Sequence, residues 1–435
     1  MKFPAWQKSF YLVVLGLSVF RPPALAEEFG KVTIGNWGFK AGVNERFRYE
    51  YRHDFDFNKS TKDNGSLLFN RVIVNARATL SDGQGKNKIG IFIEGLDAQV
   101  GGYQLKPVKN QKDSFDLHQA YLDFYNILDS ALDFRVGRQE LKYGAGRLIA
   151  APTWSNRIRS FDAVVLRYHP QELYADLFFG ADVKYDDNNF NYIQHKEKIM
   201  GIYGGYQKNK NSAKFEFYFL PQRINNTTTK STRYTAGARL QGEAPGKILY
   251  DIELPYQFGK VNQKSIKAYA FHADLSRAFQ EVLWEPKLAL EYNQASGDKD
   301  PNDSVNNTFV PLYQTTHEPY GIMDFFRWEN MREISLNVNL SITNKLKLIP
   351  QMNFFWLMST NDSWYDSTGA ALRTDNSGLR SHYVGQEVSL RAGYEVNRNI
   401  KLESGYAHFF TGGYVKDSGP NDDADWVYAQ ATLHY

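Results

Sequence analysis

Residues 43–52 read VNERFRYEYR, and within them Phe47, Tyr49 and Tyr51 alternate with Arg46, Arg48, Glu50 and Arg52. Successive side chains of an extended strand point to opposite faces, so this stretch carries one aromatic face and one charged face. The next such segment, 70–80, repeats the design, with Val72, Val74, Ala76 and Ala78 on one side and Arg71, Asn75 and Arg77 on the other.

Period-two alternation continues almost to the end of the chain. It predicts about eighteen strands, near 43–52, 70–80, 88–98, 117–126, 131–138, 162–169, 172–183, 199–208, 213–221, 232–241, 248–258, 267–277, 284–294, 331–343, 346–358, 384–396, 400–410 and 426–435. Every second connection is short and rich in turn formers: 81–87, Pro170-Gln171, 209–212, 242–247, Asn344-Lys345 and 397–399. The others, including 53–69, 99–116, 139–161, 184–198, 295–330, 359–383 and 411–425, are mostly longer and rich in Asp, Asn, Gly and Lys. Strict short–long alternation is the rhythm of an all-β transmembrane antiparallel barrel with short periplasmic turns and long extracellular loops. In the last strand Val427, Ala429, Ala431, Leu433 and Tyr435 share a face and an aromatic residue closes the chain, as in outer-membrane barrels.

Composition agrees. The chain has 435 residues with 28 Tyr, 30 Phe, 33 Gly and no Cys, and a mean hydropathy of −0.52. A chain rich in aromatics yet polar on average suits a membrane barrel, because only alternate residues of each strand meet lipid. The lack of cysteine excludes disulfides, thiolate metal sites and cysteine nucleophiles. Residues 1–26 have the parts of a secretory signal: Lys2 and Lys8, an apolar run from Phe10 to Phe20, and Ala24-Leu25-Ala26 before Glu27. The expected organisation is a signal peptide (1–26), a periplasmic lead-in (27–42) and a barrel (43–435) in the outer membrane of a Gram-negative bacterium.

Assigning the apolar phase of each strand to lipid leaves Arg46, Arg48, Glu50, Arg52, Arg71, Asn75, Arg77, Arg135, Arg167, Arg239 and Arg391 in the lumen. Glu94, Asp123, Asp176, Glu216, Asp251, Glu253, Glu291 and Glu387 join them, so the interior is polar and of mixed sign. Two readings follow. The charges pair across strands and stiffen a water-filled wall, or some arginines stay unpaired and form a track for an anionic solute.

The stretch 137–162, GRQELKYGAGRLIAAPTWSNRIRSFD, sets Arg138, Arg147, Arg157 and Arg159 among Gln139, Tyr143, Trp154 and Asn156, with Glu140 and Asp162 at its ends. Rings stack on pyranose faces and guanidinium groups take carboxylates, so the composition suits an acidic sugar, and the segment would constrict the channel by folding inward. Arg138 and Glu140 continue the phase of lipid-facing Leu132, Phe134 and Val136, so the strand must end or bulge near Gly137 or rise above the membrane there.

GRQEL at 137–141, Tyr143-Gly144, Arg147-Leu148, Trp154-Ser155-Asn156 and Arg159-Ser160-Phe161-Asp162 resemble the characteristic run of the alginate export family. ASGDKDPNDSVNNTFVPLYQTTHEPYG at 295–321 and HYVGQEVSLRAGYEVNRNIKLESGYAHFF at 382–410 resemble its distal regions. The resemblance implies an eighteen-stranded barrel passing an anionic polysaccharide outward. Its constriction would hold Arg138, Glu140, Arg147, Arg157, Arg159 and Asp162. It does not imply alginate itself, since likeness of fold leaves the solute open.

No segment combines a nucleophile with a base, so no catalysis and no cofactor are expected. The nine histidines show no paired ligand spacing, so no metal centre is expected either, and Asp298, Asp300 and Asp303 suit a solvated outer turn better than a calcium loop. The expected partners are membrane lipid and lipopolysaccharide, an anionic polysaccharide or small anions, and periplasmic export machinery, with no nucleic acid. A general or anion-selective porin and a structural or adhesive surface barrel are the competing readings.

Overall fold

The computed structural model describes residues 31–105, 111–187, 189–209, 211–315, 317–375, 377–378 and 380–435. The expected signal peptide therefore lies outside the described residues, as does part of the 99–116 connection. Eighteen long strands form the wall: β1 (Trp37–His53), β2 (Gly65–Ser81), β3 (Asn87–Tyr103), β4 (Asp113–Phe124), β5 (Leu132–Gln139), β6 (Phe161–Tyr168), β7 (Leu173–Lys184), β8 (Tyr192–Tyr206) and β9 (Lys214–Asn225) in the first half, then β10 (Lys230–Ala244), β11 (Ile248–Val261), β12 (Lys264–Ala278), β13 (Lys287–Ala295), β14 (Met331–Ser341), β15 (Leu346–Trp356), β16 (Tyr383–Asn397), β17 (Ile400–Thr411) and β18 (Ala424–His434). Each long strand pairs antiparallel with the next, and β18 returns to β1, where Val427 lies opposite Tyr51 and Leu433 opposite Glu45. Closure removes both sheet edges, which a strand array in lipid must do because an unpaired backbone group there has no water to bond.

The predicted alternation is the alternation of the wall. Tyr49 and Tyr51 are exposed on the outside while Arg46, Arg48 and Glu50 are buried within. Along the belt Leu68, Val74, Ile91, Ile93, Leu122, Leu254 and Leu390 stand exposed in the same way, as lipid-facing side chains must. The first wall strand starts at Trp37 and not at 43, so residues 37–42 belong to the wall and not to a lead-in, and the short strand Lys31–Ile34 hairpins onto them.

Strict short–long alternation does not hold throughout. The connections after β9 and after β11 are tight turns of the long-loop end, residues 226–229 and 262–263, between wall strands of 12 to 15 residues. On the other side of the barrel β5 and β6 have only 8 residues each, slightly below the 9 to 11 or so of a typical spanning strand. Where the wall is low, the connection 140–160 leaves it and enters the lumen.

Apolar residues pull it in. Leu141, Leu148, Ile149 and Ile158 are buried, and Tyr143 stacks on Phe178 and Tyr203 of the inner wall at ring distances of 4.9 and 5.0 Å. The long connection 296–330 is drawn in as well, burying Phe309, Tyr313, Tyr320, Ile322, Phe325, Phe326 and Trp328. The two loops bond to each other through Ala150 N to Tyr313 O and Tyr313 N to Leu148 O, both 2.7 Å. The polar, mixed-sign interior expected from the strands is thus joined by an apolar core made by the inward loops. Burying each such large side chain contributes roughly 1.5–3 kcal/mol.

Candidate functional site

The inward loop peaks at Thr153-Trp154-Ser155, and three wall arginines hold its backbone there. Arg46 Nη1 donates to the carbonyl oxygens of Thr153 (2.7 Å) and Trp154 (3.0 Å). Arg48 Nη1 donates to Trp154 O (2.7 Å), and Arg71 Nη1 to Thr153 O (2.8 Å) and Ser155 O (2.9 Å). Asn156, itself fully buried, accepts from Arg46 and donates to the carbonyls of Asn70 and Gln99. The Trp154 ring carries the Arg48 guanidinium 3.8 Å from its centroid and stacks on His317 at 3.9 Å, nearly parallel. Trp426 and Tyr428 meet it edge-on.

This ledge separates two cavities that both touch Trp154. The one toward the long loops, about 640 Å³, is faced by Arg48, Arg52, Arg157, Arg159 and Arg327, by the carboxylates Glu50, Asp324 and Asp366, and by Phe55, Tyr185 and Phe325. The one toward the short turns, about 850 Å³, is lined by Arg46, Arg71, Lys345, Lys347, Arg391 and Lys401 together with Glu94, Glu140, Glu318, Glu395 and Glu403. Cations therefore outnumber carboxylates in the first and nearly balance them in the second.

The predicted lumen arginines fall into three groups. Arg77 and Arg135 share Asp123, Arg167 pairs with Asp176 at 3.3 Å, Arg239 bridges Glu216 and Asp251, and Arg391 meets Glu318. These stiffen the wall. Arg46, Arg48 and Arg71 are spent on loop carbonyls. Arg147 crosses the lumen to Glu253 (2.7 Å) and Asp251 (2.9 Å) and donates also to His272, pinning the loop to the far wall.

Arg157 and Arg159 are held more loosely. Arg157 lies over the Tyr185 ring at 4.5 Å, and its Nη1 reaches a carbonyl only at 3.5 Å. Arg159 is 3.9 Å from Asp182. Arg327, which sequence patterning did not single out, joins them from the other inward loop and keeps Glu329 at 3.1 Å. Glu329 is buried, and desolvation pushes its carboxyl up to about 7 against the pull of Arg327.

Arg138 and Asp162 do not join this group. They form a two-pronged pair, 2.9 and 3.0 Å, on the outer phase of β5 and β6, and Arg138 also donates to the carbonyls of Leu117 and Asn191. The register of β5 with β6 has no bulge, so Arg138 keeps the phase of Val136 and seals the wall where the loop departs. Gly137 beside it has φ +130°, and a Cβ there would lie 2.2 Å from Ala120 O, so only glycine fits. Past Gln139 the strand has ended, and Glu140 turns inward to His118 (3.0 Å). His118 also lies 3.9 Å from Glu94. These three come from three separate segments, which is why ligand spacing along the sequence did not reveal them.

A closed eighteen-stranded wall with an apolar outer belt, its lumen narrowed by two inward loops, defines an outer-membrane β-barrel channel of the porin type. The solved structures that it resembles are of that class. They include Pseudomonas aeruginosa OccK1 (TM-score 0.64, 11% identity, 91% of this chain and 98% of that one) and Acinetobacter baumannii OccAB1 (0.62, 13%, 95% and 99%). A third is P. aeruginosa OccK2, solved in complex with glucuronate (0.62, 12%, 91% and 97%). No curated protein matches. The alginate export profile matches residues 39–428, nearly the whole barrel, and the chain belongs to that family.

Proposed function

We propose that the channel passes an anionic, alginate-like polysaccharide outward in single file, over the Trp154 ledge and through the arginine-faced outer cavity. The observation that carries this reading is the placement of the loosely held Arg157 and Arg159, with Arg327 beside them held by Glu329 and the Pro311 carbonyl of its own loop, around aromatic surface directly beyond the ledge. Guanidinium forks take carboxylates in pairs, and rings offer a face for the sugar. Conduction needs each contact to be weak enough to exchange, and two loosely held arginines hand a carboxylate on where one tight site would trap it. Passage is passive, with no catalytic residue assigned. The glucuronate found in OccK2 supports acidic sugars as ligands for a barrel of this shape.

A second reading, a porin for small acidic solutes, is favoured by the division of the lumen into two cavities whose volumes match single-ligand sites. Planar-bilayer recording separates the two. Wild type should be anion-selective and blocked by oligouronates, with block tightening as chain length grows. Arg157→Ala with Arg159→Ala should weaken that block about ten- to a hundredfold, the worth of one charge-assisted hydrogen bond of ~1.5–3 kcal/mol. Block by monomer and oligomer alike would select the small-solute reading. Block that ignores the arginines would refute both.

The Glu329 carboxyl makes this block pH-dependent. Below about 7 it is protonated and leaves Arg327, still anchored on the Pro311 carbonyl, without an opposing charge and available to solute, while above it the carboxylate claims Arg327. Block should therefore weaken as pH rises through that value, and Glu329→Gln should flatten the profile. A profile unchanged in the variant would exclude Glu329 as its source.

A further inference from the structure

We propose that Glu94, His118 and Glu140 bind a divalent transition-metal ion, zinc being the type, in the wall of the cavity on the short-turn side of Trp154. The donors are built into place. Between β3 and β4 the register shifts: Gln119 faces Glu94 and Leu117 faces Gly95, so His118 is the extra residue of a β-bulge. Bulges re-aim side chains, and this one brings the imidazole beside Glu94. The loop leaving β5 supplies Glu140 from the other side.

The ligand atoms all lie within 4.8 Å of one another. His118 Nε2 is 3.0 Å from Glu140 Oε1 and 3.9 Å from Glu94 Oε1. Donors at about 2.0–2.2 Å from a tetrahedral zinc are about 3.3–3.6 Å apart, so small side-chain adjustments close the shell. His118 is 3% exposed and Glu94 8%. Two carboxylates are thus held side by side with few side-chain donors: the Gln119 amide, at 2.9 Å from Glu94 and 3.5 Å from Glu140, and the Asn75 amide on the other Glu94 oxygen. A dication satisfies both where amides do so only in part.

One imidazole nitrogen with two carboxylates favours zinc and its first-row neighbours, whereas calcium and magnesium require larger all-oxygen shells. Glu94 and Glu140 also line the cavity, so the fourth position opens toward the lumen. Arg46 and Arg71 line the same cavity, and their charge makes the site weaker than a closed structural one. An ion there would be a neighbour of any passing carboxylate. That consequence rests on the channel reading, but ion binding does not.

The test is a metal titration of the tag-free, chelator-treated barrel in detergent with no sugar present. Cobalt binding is followed by visible absorption and zinc binding by calorimetry. The expected result is one equivalent per chain, cobalt displaced by zinc and not by magnesium or calcium, and affinity at least tenfold lower in Glu140→Gln and in His118→Gln. Heat-modifiable gel migration verifies that each variant is folded, and Glu140→Gln, at the base of the loop, is the milder change. Absence of a saturable equivalent would overturn the proposal. Binding undiminished in both folded variants would overturn it equally, by placing the ion elsewhere.

Discussion

Replacing Trp154 with alanine is expected to raise single-channel conductance severalfold and to weaken block by acidic oligosaccharides about tenfold, the effect of losing ~1.4 kcal/mol of ring contact with the sugar. Trp154 is the side chain that both cavities share, so its ring is the partition between them. The backbone beneath the ring should stay in place, because Arg46, Arg48 and Arg71 grip the carbonyls of residues 153–155 and not the side chain. Loss of the indole therefore widens the passage without releasing the loop. It also frees Arg48 and His317, each of which packs on that ring. Trp154→Phe should give intermediate conductance. Conductance equal to wild type in the alanine variant would place the narrowest point elsewhere.

Arg147→Ala is the second large effect, and it falls on the loop as a whole. The Arg147 guanidinium lies between Glu253 and Asp251 of β11 and touches His272 of β12. Among the described residues its removal leaves Glu253 with the Tyr218 hydroxyl, and Asp251 with Arg239 and, at 3.8 Å, His272. Breaking a buried pair in this way costs about 3–5 kcal/mol. The variant should lose heat-resistant gel migration at lower temperature than wild type. It should also admit protease to residues 141–151 and conduct with large, noisy fluctuations. Arg147→Lys keeps the charge but reaches one carboxylate at a time, so it should recover only part of the stability. A melting transition and protease resistance equal to wild type would show that the Ala150–Tyr313 backbone bonds suffice to hold the loop.

Most of the wall was legible in the residues alone. All eighteen predicted segments are strands, and the faces assigned to Phe47, Tyr49 and Tyr51 against Arg46, Arg48 and Glu50 are those observed. What sequence patterning missed were the places where strands end early. It kept Arg138 among the constriction residues although its phase points outward, and the unbroken β5–β6 register shows that the phase held. It also ended strands near 221 and 258, where they run on to Asn225 and Val261 and the chain turns back at once over 226–229 and 262–263. Arg327 and His317 sit in the 296–330 connection, which has no alternation to read.

The difference is one of range. Which residues form strands, and which face each side chain takes, follows from backbone geometry repeating every two residues, so VNERFRYEYR settles it without reference to the rest of the chain. Which arginines are spent and which remain available depends on partners about eighty to more than a hundred positions away: Arg46 and Arg71 on Thr153, Arg147 on Glu253. Those pairings exist only because burial of Leu141, Leu148, Ile149 and Tyr313 draws two loops through the lumen. Burial depends on what the closed wall encloses, and closure is a property of the tertiary structure.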